Sequence, residues 1–454
     1  MNTTPRLHEV PYTPDSCELF ELIRELPGAV LLDSAFPHSV AGRYDIMTAA
    51  PAAIMAGPPR GSSLREVTRW FSQLGELLTE RFGPVQPAAQ DIPFSGGLIG
   101  NIDYESGLAL NHLPASADAE SGAWVGLYDW CVIQDHLLKR ATLVAQPQVS
   151  LDTVDDLLAR LRRGRISRTG EPFRLMGPFS SNLDEGAYRK AFERIQTYIH
   201  AGDCYQVNLA QRFSAAYQGD PWQAYRQLRR AAAAPFSAYM APTELGDALI
   251  CLSPERFLSL HGTHVETAPI KGTRPRHDDA ATDRLATREL RNSVKDRAEN
   301  LMIVDLLRND LGRSCVPGSI HVDKLFEIQS YPTVHHMVST ISGELASDSD
   351  ALTLLRDSFP GGSITGAPKR RAMEVISELE PDARQAYCGS VFYLSADGRM
   401  DSNIAIRSLL CHQGTVHCWG GGGIVADSDW QREYRETWDK VGRFLSLLEE
   451  TLTA

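Results

Sequence analysis

The sequence predicts an α+β protein in which helices pack outside antiparallel sheets. Three observations predict it. From Asp184 onward, helical spacings alternate with β-branched runs. The runs at 391–394, 404–410 and 416–419 are separated by turn-like segments, as antiparallel neighbours are. No internal repeat or low-complexity tract interrupts the pattern. Mixed order of this kind favours α+β over a regular βαβ alternation.

Taken along the chain, residues 19–26 carry a helical spacing and 29–32 form a short apolar run. Residues 95–100 are a glycine-rich approach to a strand, and 124–135 contain a strand-like apolar run. An amphipathic helix is predicted over 152–162. The basic stretch from Arg160 to Arg165 then leads into a polar connection ending near Asp184, read as a solvated helix end and linker. Beyond it come a helix over 183–201 stopped by Gly202 and a strand over 206–213. A hairpin-like pair over 249–260 around His261-Gly262 and a long helix over 285–310 follow. The division is thus 1–150 as an N-terminal region, 151–183 as a linker and 184–454 as a C-terminal region.

Bulk properties bound the function. A chain of 454 residues, 43% hydrophobic and 22% charged, has ample material for a core and is not disordered by default. A formal charge of −12 opposes binding to nucleic acid through phosphates. Residues 1–10 hold no apolar signal core, and no run of about 18 apolar residues suggests a membrane span. The eight cysteines are scattered without a C-x-x-C pair, as expected of reduced thiols in a cytoplasmic protein.

Two predicted helices carry acids three residues apart. Asp296 and Glu299 share one face, with Leu290, Val294 and Leu301 on the opposite side. Glu433 and Glu436 share a face with Lys440, beside an apolar stripe of Trp430, Tyr434, Val441 and Leu448. Such spacing also suits a solvated surface. If the helices meet, however, four carboxylates converge and need a cation, for which hard oxygen ligands favour Mg²⁺ over zinc. Between the helices lie Gly420, Gly421, Gly422 and Gly423, which let a ligand approach the backbone and offer N–H groups to an anion. A second glycine segment, from Pro360 to Lys369, precedes a helix near Arg371 but lacks the order of a Walker loop.

Several segments together resemble the chorismate-utilising enzymes. They are Asp203-Cys204-Tyr205-Gln206-Val207-Asn208-Leu209, Ser253-Pro254-Glu255-Arg256-Phe257 and Pro269-Ile270-Lys271-Gly272-Thr273. Residues 296–310, 362–369, 420–428 and 433–440 complete the set, in family order. The resemblance implies a large sandwich of two antiparallel sheets with helices outside, like anthranilate synthase component I. It implies Glu299 and Glu436 as direct Mg²⁺ ligands, with Asp296 and Glu433 in an outer shell. Asp296 stands where some relatives carry glutamate. Tyr393, Arg407, the backbone of Gly421, Gly422 and Gly423, and Lys440 are expected to hold a substrate carboxylate. Thr273, His336 and Thr365 are expected at the same substrate, while His335 reads as structural.

Members of the family differ in what attacks the ring. The water-using branches carry a lysine base where this chain has Gln206, and an amide cannot act as a base near neutral pH. The ammonia-using branches remain. Lys271 stands where anthranilate synthases carry alanine, and the resemblance gives such a lysine the role of nucleophile in amination at ring carbon four, with Glu255 as acid. Anthranilate synthesis is the competing reading. No glutaminase signature is present, so ammonia is expected from solution or from a separate amidotransferase subunit. Ser34, Arg43 and Tyr44, with Pro235 and Phe236, resemble tryptophan-binding elements of the family. A ligand-sensing module is the reading from a different class, opposed by the intact acids and Lys271.

Overall fold

The computed structural model describes residues 4–39, 42–84, 92–114, 122–163, 170–242, 247–332 and 334–452. Within them two antiparallel sheets carry helices on their outer faces, as the sequence predicts. The larger sheet runs from Arg6–Val10 through Arg140–Ala145, Trp130–Asp135, Tyr44–Thr48 and Ala29–Asp33 to Phe236–Ala241. It continues through Ala248–Ser253, Ser408–His412 and Thr415–Ile424 to Gln206–Gln218. The smaller sheet runs from Ile270–Pro275 through Val334–Glu344, His264–Ala268, Arg256–His261 and Met400–Asn403 to Ser390–Ser395. Gly97–Ile102, Trp124–Tyr128 and Ala53–Ala56 finish it.

Three apolar clusters hold these layers. Between the sheets, Val30, Ile46, Ile133 and Met240 of the larger meet Ile99, Trp124 and Val391 of the smaller. The other face of the larger sheet packs on helices through Phe20, Leu157, Trp222 and Phe444. Helices cover the smaller sheet through Phe71, Leu108, Ile303 and Met373. Burying both faces explains why strands such as Trp130–Asp135 and Ala248–Ser253 are buried throughout and read as unbroken apolar runs.

Several boundaries differ from the sequence reading. The run at 124–135 is two strands, one in each sheet. The turn after His261 joins Arg256–His261 to His264–Ala268, whereas Ala248–Ser253 belongs to the other sheet. The helix predicted over 285–310 is Ala280–Asn292 and Val294–Leu311, broken at Ser293, whose side chain caps the second by accepting from Asp296 N. On that second helix Ile303, Val304 and Leu307 are buried, while Val294 and Leu301 are 82% and 48% exposed, so the supposed apolar face is not the packed one. The regions 1–150 and 184–454 are not separate bodies: Ala29–Asp33 pairs with Phe236–Ala241, and Gly97–Ile102 with Ser390–Ser395. The stretch 151–183 contains the helix Leu151–Arg162 and two short strands on Gln206–Gln218, and the end of its basic run, Gly164 and Arg165, lies outside the described residues. All eight cysteines are buried and free. No helix among the described residues is long and apolar enough to cross a membrane.

Candidate active site

The four glycines are strand, not loop. Thr415–Ile424 pairs with Gln206–Gln218 in the register Asn208↔Gly423 and Ala210↔Gly421. A Cβ on Gly420 would lie 2.1 Å from Thr437 O, and one on Gly422 would lie 3.1 Å from Glu433 Oε2. On Gly421 and Gly423 it would meet Tyr387 Oη at 2.7 Å and Gln206 Nε2 at 2.8 Å. Glycine is therefore required because the helix Trp430–Glu449 rests on one face and site side chains press on the other. Pairing with Ser408–His412 ends at Leu409↔Cys418, so beyond it one edge of the glycine run has no strand neighbour among the described residues. That edge suits the expected anion contact.

Lys271 sits in an irregularity of Ile270–Pro275, where the register on Val334–Glu344 shifts between Ile270 and Thr273. The next residue, Gly272, has φ +79°, and a Cβ there would lie 2.7 Å from Leu290 and 2.9 Å from Asp296. Lys271 Nζ donates to Ser363 O at 2.9 Å. Burial lowers its pKa, against the pull of Glu255 and Glu299. Glu255 is buried, which raises its pKa against Lys271 and the Ser363 side chain. Burial thus works against the charged form of each group, while their mutual attraction works for it. Arg407 belongs to the same charge cluster: burial lowers its pKa and Glu255 opposes this. Buried His336 shares a 2.9 Å hydrogen bond between Nδ1 and Thr273 Oγ1, and burial followed by Arg407 depresses its pKa to about 3, so its ring is neutral. His335 bridges Asp283 Oδ1 at 2.9 Å and Ser330 Oγ at 2.7 Å, the structural role expected. Thr365 is buried, its hydroxyl turned to Gly361 O at 3.2 Å.

The two acidic helices do meet, with Lys295 between them. Its Nζ lies 3.7 Å from Glu299 and 3.8 Å from Glu433. Lys440 is held by Glu436 at 2.8 Å and by Gly421 O at 2.8 Å. Asp296 is engaged by Arg274 at 3.1 Å, and Glu433 accepts from Ser428 at 2.7 Å. Among the described residues no three of these groups close up into a metal cluster by themselves. Glu299 Oε1 is nonetheless buried without a hydrogen-bond partner, and burial raises the Glu299 pKa against Lys271 and Lys295. An orphaned carboxylate oxygen beside further acids fits a hard cation whose remaining positions go to water and a ligand.

One assignment is corrected. Tyr393 lies mid-strand in the smaller sheet, opposite Ile99 and Asp401, and lines another cavity. Tyr387 occupies the site instead, stacked on Trp419 at 6.0 Å with its hydroxyl against Gly421. The signal was its position just before the strand Ser390–Ser395, ahead of where the chain enters the sheet. Gln206 is buried with both side-chain polar atoms unpartnered, as is Asn208 Oδ1.

The other cavity, of about 320 Å³, gathers Ser34, Arg43, Tyr44, Pro235 and Phe236 with Tyr393, Arg256 and Asn403. Arg43 is fixed by Asp135 at 2.7 Å and lies 4.6 Å from the Tyr44 ring. Asp45 accepts from Ser34 N at 2.7 Å and pairs with His136 at 2.8 Å, which positions the Ser34 segment from behind.

Known proteins resemble this chain in sequence and fold. "Aminodeoxychorismate synthase component 1" of Klebsiella aerogenes is 46% identical over 98% of this chain and 99% of its own. "Anthranilate synthase component 1" of Streptomyces coelicolor is 38% identical over 80% of this chain and 74% of its own. The crystal structure of anthranilate synthase component I from Streptococcus pneumoniae TIGR4 superposes with a TM-score of 0.75 at 26% identity, covering 90% of this chain and 93% of that one. The profile described as chorismate binding enzyme matches residues 40–446, and with relatives at this identity over nearly its whole length the chain belongs to that family.

Proposed function

We propose that this chain aminates chorismate at ring carbon four, giving 4-amino-4-deoxychorismate, the precursor of para-aminobenzoate. The observation that carries this reading is Lys271: an amine with lowered pKa, anchored on Ser363 O and charge-coupled to a buried Glu255 of raised pKa. The free amine attacks ring carbon two, both ring double bonds shift, and the carbon-four hydroxyl leaves as water with a proton from Glu255. Ammonia then adds at carbon four, the double bonds return, and the carbon–nitrogen bond to Lys271 breaks.

Arg407, Tyr387 and Lys440 would hold a substrate carboxylate, the last two from beside Gly421. Glu299 and Glu436 would hold Mg²⁺, with Glu433 behind them; Asp296, turned to Arg274, fits an outer place only. When bound, the ion would neutralise a ring carboxylate. Ammonia would come from solution or from an amidotransferase partner, and eight free cysteines suit a cytoplasmic enzyme. The second cavity suits tryptophan: an apolar wall for the indole, and a buried Ser34 hydroxyl without a partner for its polar end.

The test is product identity. Incubated with chorismate, Mg²⁺ and ammonium, the wild type should form 4-amino-4-deoxychorismate, and with ammonia withheld a lysine adduct should appear by mass spectrometry. Lys271→Ala should lose most of this product, with residual amination drifting to carbon two. Unchanged product and rate in that variant, with no adduct on the wild type, would transfer the chain to anthranilate synthesis.

A further inference from the structure

Arg384 contributes no atom to the reaction just described, yet it is only 2% exposed. A buried guanidinium is tolerated when its fork of N–H groups is taken up. Nε and Nη2 donate to the two oxygens of Glu380 at 2.8 and 2.7 Å. Nη2 also donates to Asn208 O at 3.0 Å, and Nη1 to Ile364 O at 3.1 Å. The guanidinium carbon lies 4.7 Å from the Tyr104 ring centre. Glu380 accepts in addition from Ala210 N at 2.8 Å, and Glu105 accepts from the backbone N–H of Arg384 at 2.8 Å.

The two carbonyls it grips belong to different walls of the cleft. Asn208 lies on the strand that presents Gln206, whereas Ile364 follows Ser363, the anchor of the Lys271 amine. Backbone bonds also join these walls: Asn208 N to Thr365 O at 2.9 Å and Tyr205 N to Ala367 O at 2.7 Å, with Gln206 and Val207 paired to Ala367 and Gly366. These bonds hold the turn from Thr365 onward, whereas Ile364, next to Ser363, is tied through Arg384 Nη1. The planar fork adds two ties at fixed angles, which a lysine could not reproduce.

We infer that Arg384 is a positioning residue for amination: it clamps the Ser363 turn against the Gln206 strand and so sets where the Lys271 amine points. The inference rests on Lys271 being the nucleophile. Arg384→Gln, Arg384→Lys and Glu105→Gln test it by melting temperature, chorismate KM and the single-turnover rate of the Lys271 adduct with ammonia withheld. In Arg384→Gln the adduct should form about tenfold to a hundredfold more slowly at unchanged KM, since small misplacements of a reacting atom cost that much. Arg384→Lys should recover part of the rate. Lower melting temperature with an unchanged adduct rate in the folded fraction overturns the inference. If Arg384→Gln does not fold, Glu105→Gln, which keeps one accepting oxygen, carries the test: slower adduct formation supports the clamp and an unchanged rate overturns it. A wild type that forms no adduct refutes the nucleophile instead. The clamp is then read from steady-state kinetics, where a lower kcat at constant KM supports it and an unchanged kcat overturns it.

Discussion

The cleft around Lys271 and the cavity around Ser34 are both lined by strands of the same two sheets, but their polar groups are left in different states. In the cleft, Gln206 Nε2 and Oε1, Asn208 Oδ1 and Glu299 Oε1 are all buried without hydrogen-bond partners, and Lys295 Nζ stands 3.7 Å from the last. In the cavity, Arg43 is tied to Asp135, and Arg256 to Asp401 and Glu266, which leaves the Ser34 hydroxyl as its buried unpartnered atom among the described residues. A buried group without a partner costs about 1–3 kcal/mol, so a concentration of them points to a ligand that completes them. On the proposed reading, the substrate would complete the open groups of the cleft, and a bound ligand the single one of the cavity. The segment from Asp401 to Arg407 runs between them, lining the cavity at Asn403 and hydrogen-bonding Glu255 O through Ile404 N at 3.1 Å.

The largest effect should come from emptying the cleft of one charge. Glu299→Gln preserves shape and removes the orphaned carboxylate, and activity should fall by about 10² to 10³, as for loss of one preorganised electrostatic contact. Chelation of Mg²⁺ should abolish wild-type turnover. Near-normal turnover in the variant, with circular dichroism unchanged, breaks the contrast between the two hollows.

A pH profile tests the same charges without mutation. The productive state needs Glu255 protonated and Lys271 free, so the pair must hold one proton. Burial raises Glu255 from 4.5 and lowers Lys271 from 10.5, so both limbs of kcat/KM should lie inside that interval. Outside each limb the rate should drop about tenfold per pH unit. A flat profile across the whole interval would remove the pair from the mechanism.

Two glycines one turn of the pleat apart separate reaction from packing. Gly422→Ala puts a methyl 3.1 Å from Glu433 and 3.6 Å from Glu436, so activity should suffer before stability. Gly420→Ala puts it 2.1 Å from Thr437 O, an overpacking that should cost about 1–3 kcal/mol in chemical denaturation. The reverse ranking would mean that the acids are not held against the strand as described. Two tyrosines make a similar pair: Tyr387→Phe should raise the chorismate KM about tenfold through loss of a hydrogen bond to a charged group. Tyr393→Phe should leave it unchanged, and equal effects would undo the reassignment.

That reassignment marks how far the sequence could be read. The α+β class and the acids at 296, 299, 433 and 436 were legible, because spacing on a helix or strand fixes which residues share a face. The pairing of Gly97–Ile102 with Ser390–Ser395 was not, since nothing local encodes a partner three hundred residues away. Tyr387 and Tyr393 differ by which side of a strand's start they occupy, and a resemblance read without the strand boundary took the wrong one. Lys295 reads as an ordinary helical partner of Glu299; only the tertiary fold brings its Nζ within 3.8 Å of Glu433. Ser293 ended a helix inside a charged stretch where apolar periodicity has no signal.

The smallest expected effect is the one that sharpens the comparison most. Ser34 is buried, its backbone N–H is held by Asp45 at 2.7 Å, and its hydroxyl has no partner. Ser34→Ala therefore removes a donor and acceptor without disturbing the backbone that presents it. If tryptophan occupies the cavity, the variant should bind it about tenfold more weakly, the worth of one neutral hydrogen bond. The apo protein should be as stable as the wild type or slightly more so, because an unsatisfied buried hydroxyl has been deleted. Chorismate kinetics should not change, since no cleft residue touches Ser34. Isothermal titration with tryptophan and a thermal melt without it decide the matter. Unchanged tryptophan affinity would show that the cavity's one open polar group is not there for the ligand. A changed chorismate KM would show instead that the two hollows communicate, with the Asn403–Arg407 segment as the connection that spans them.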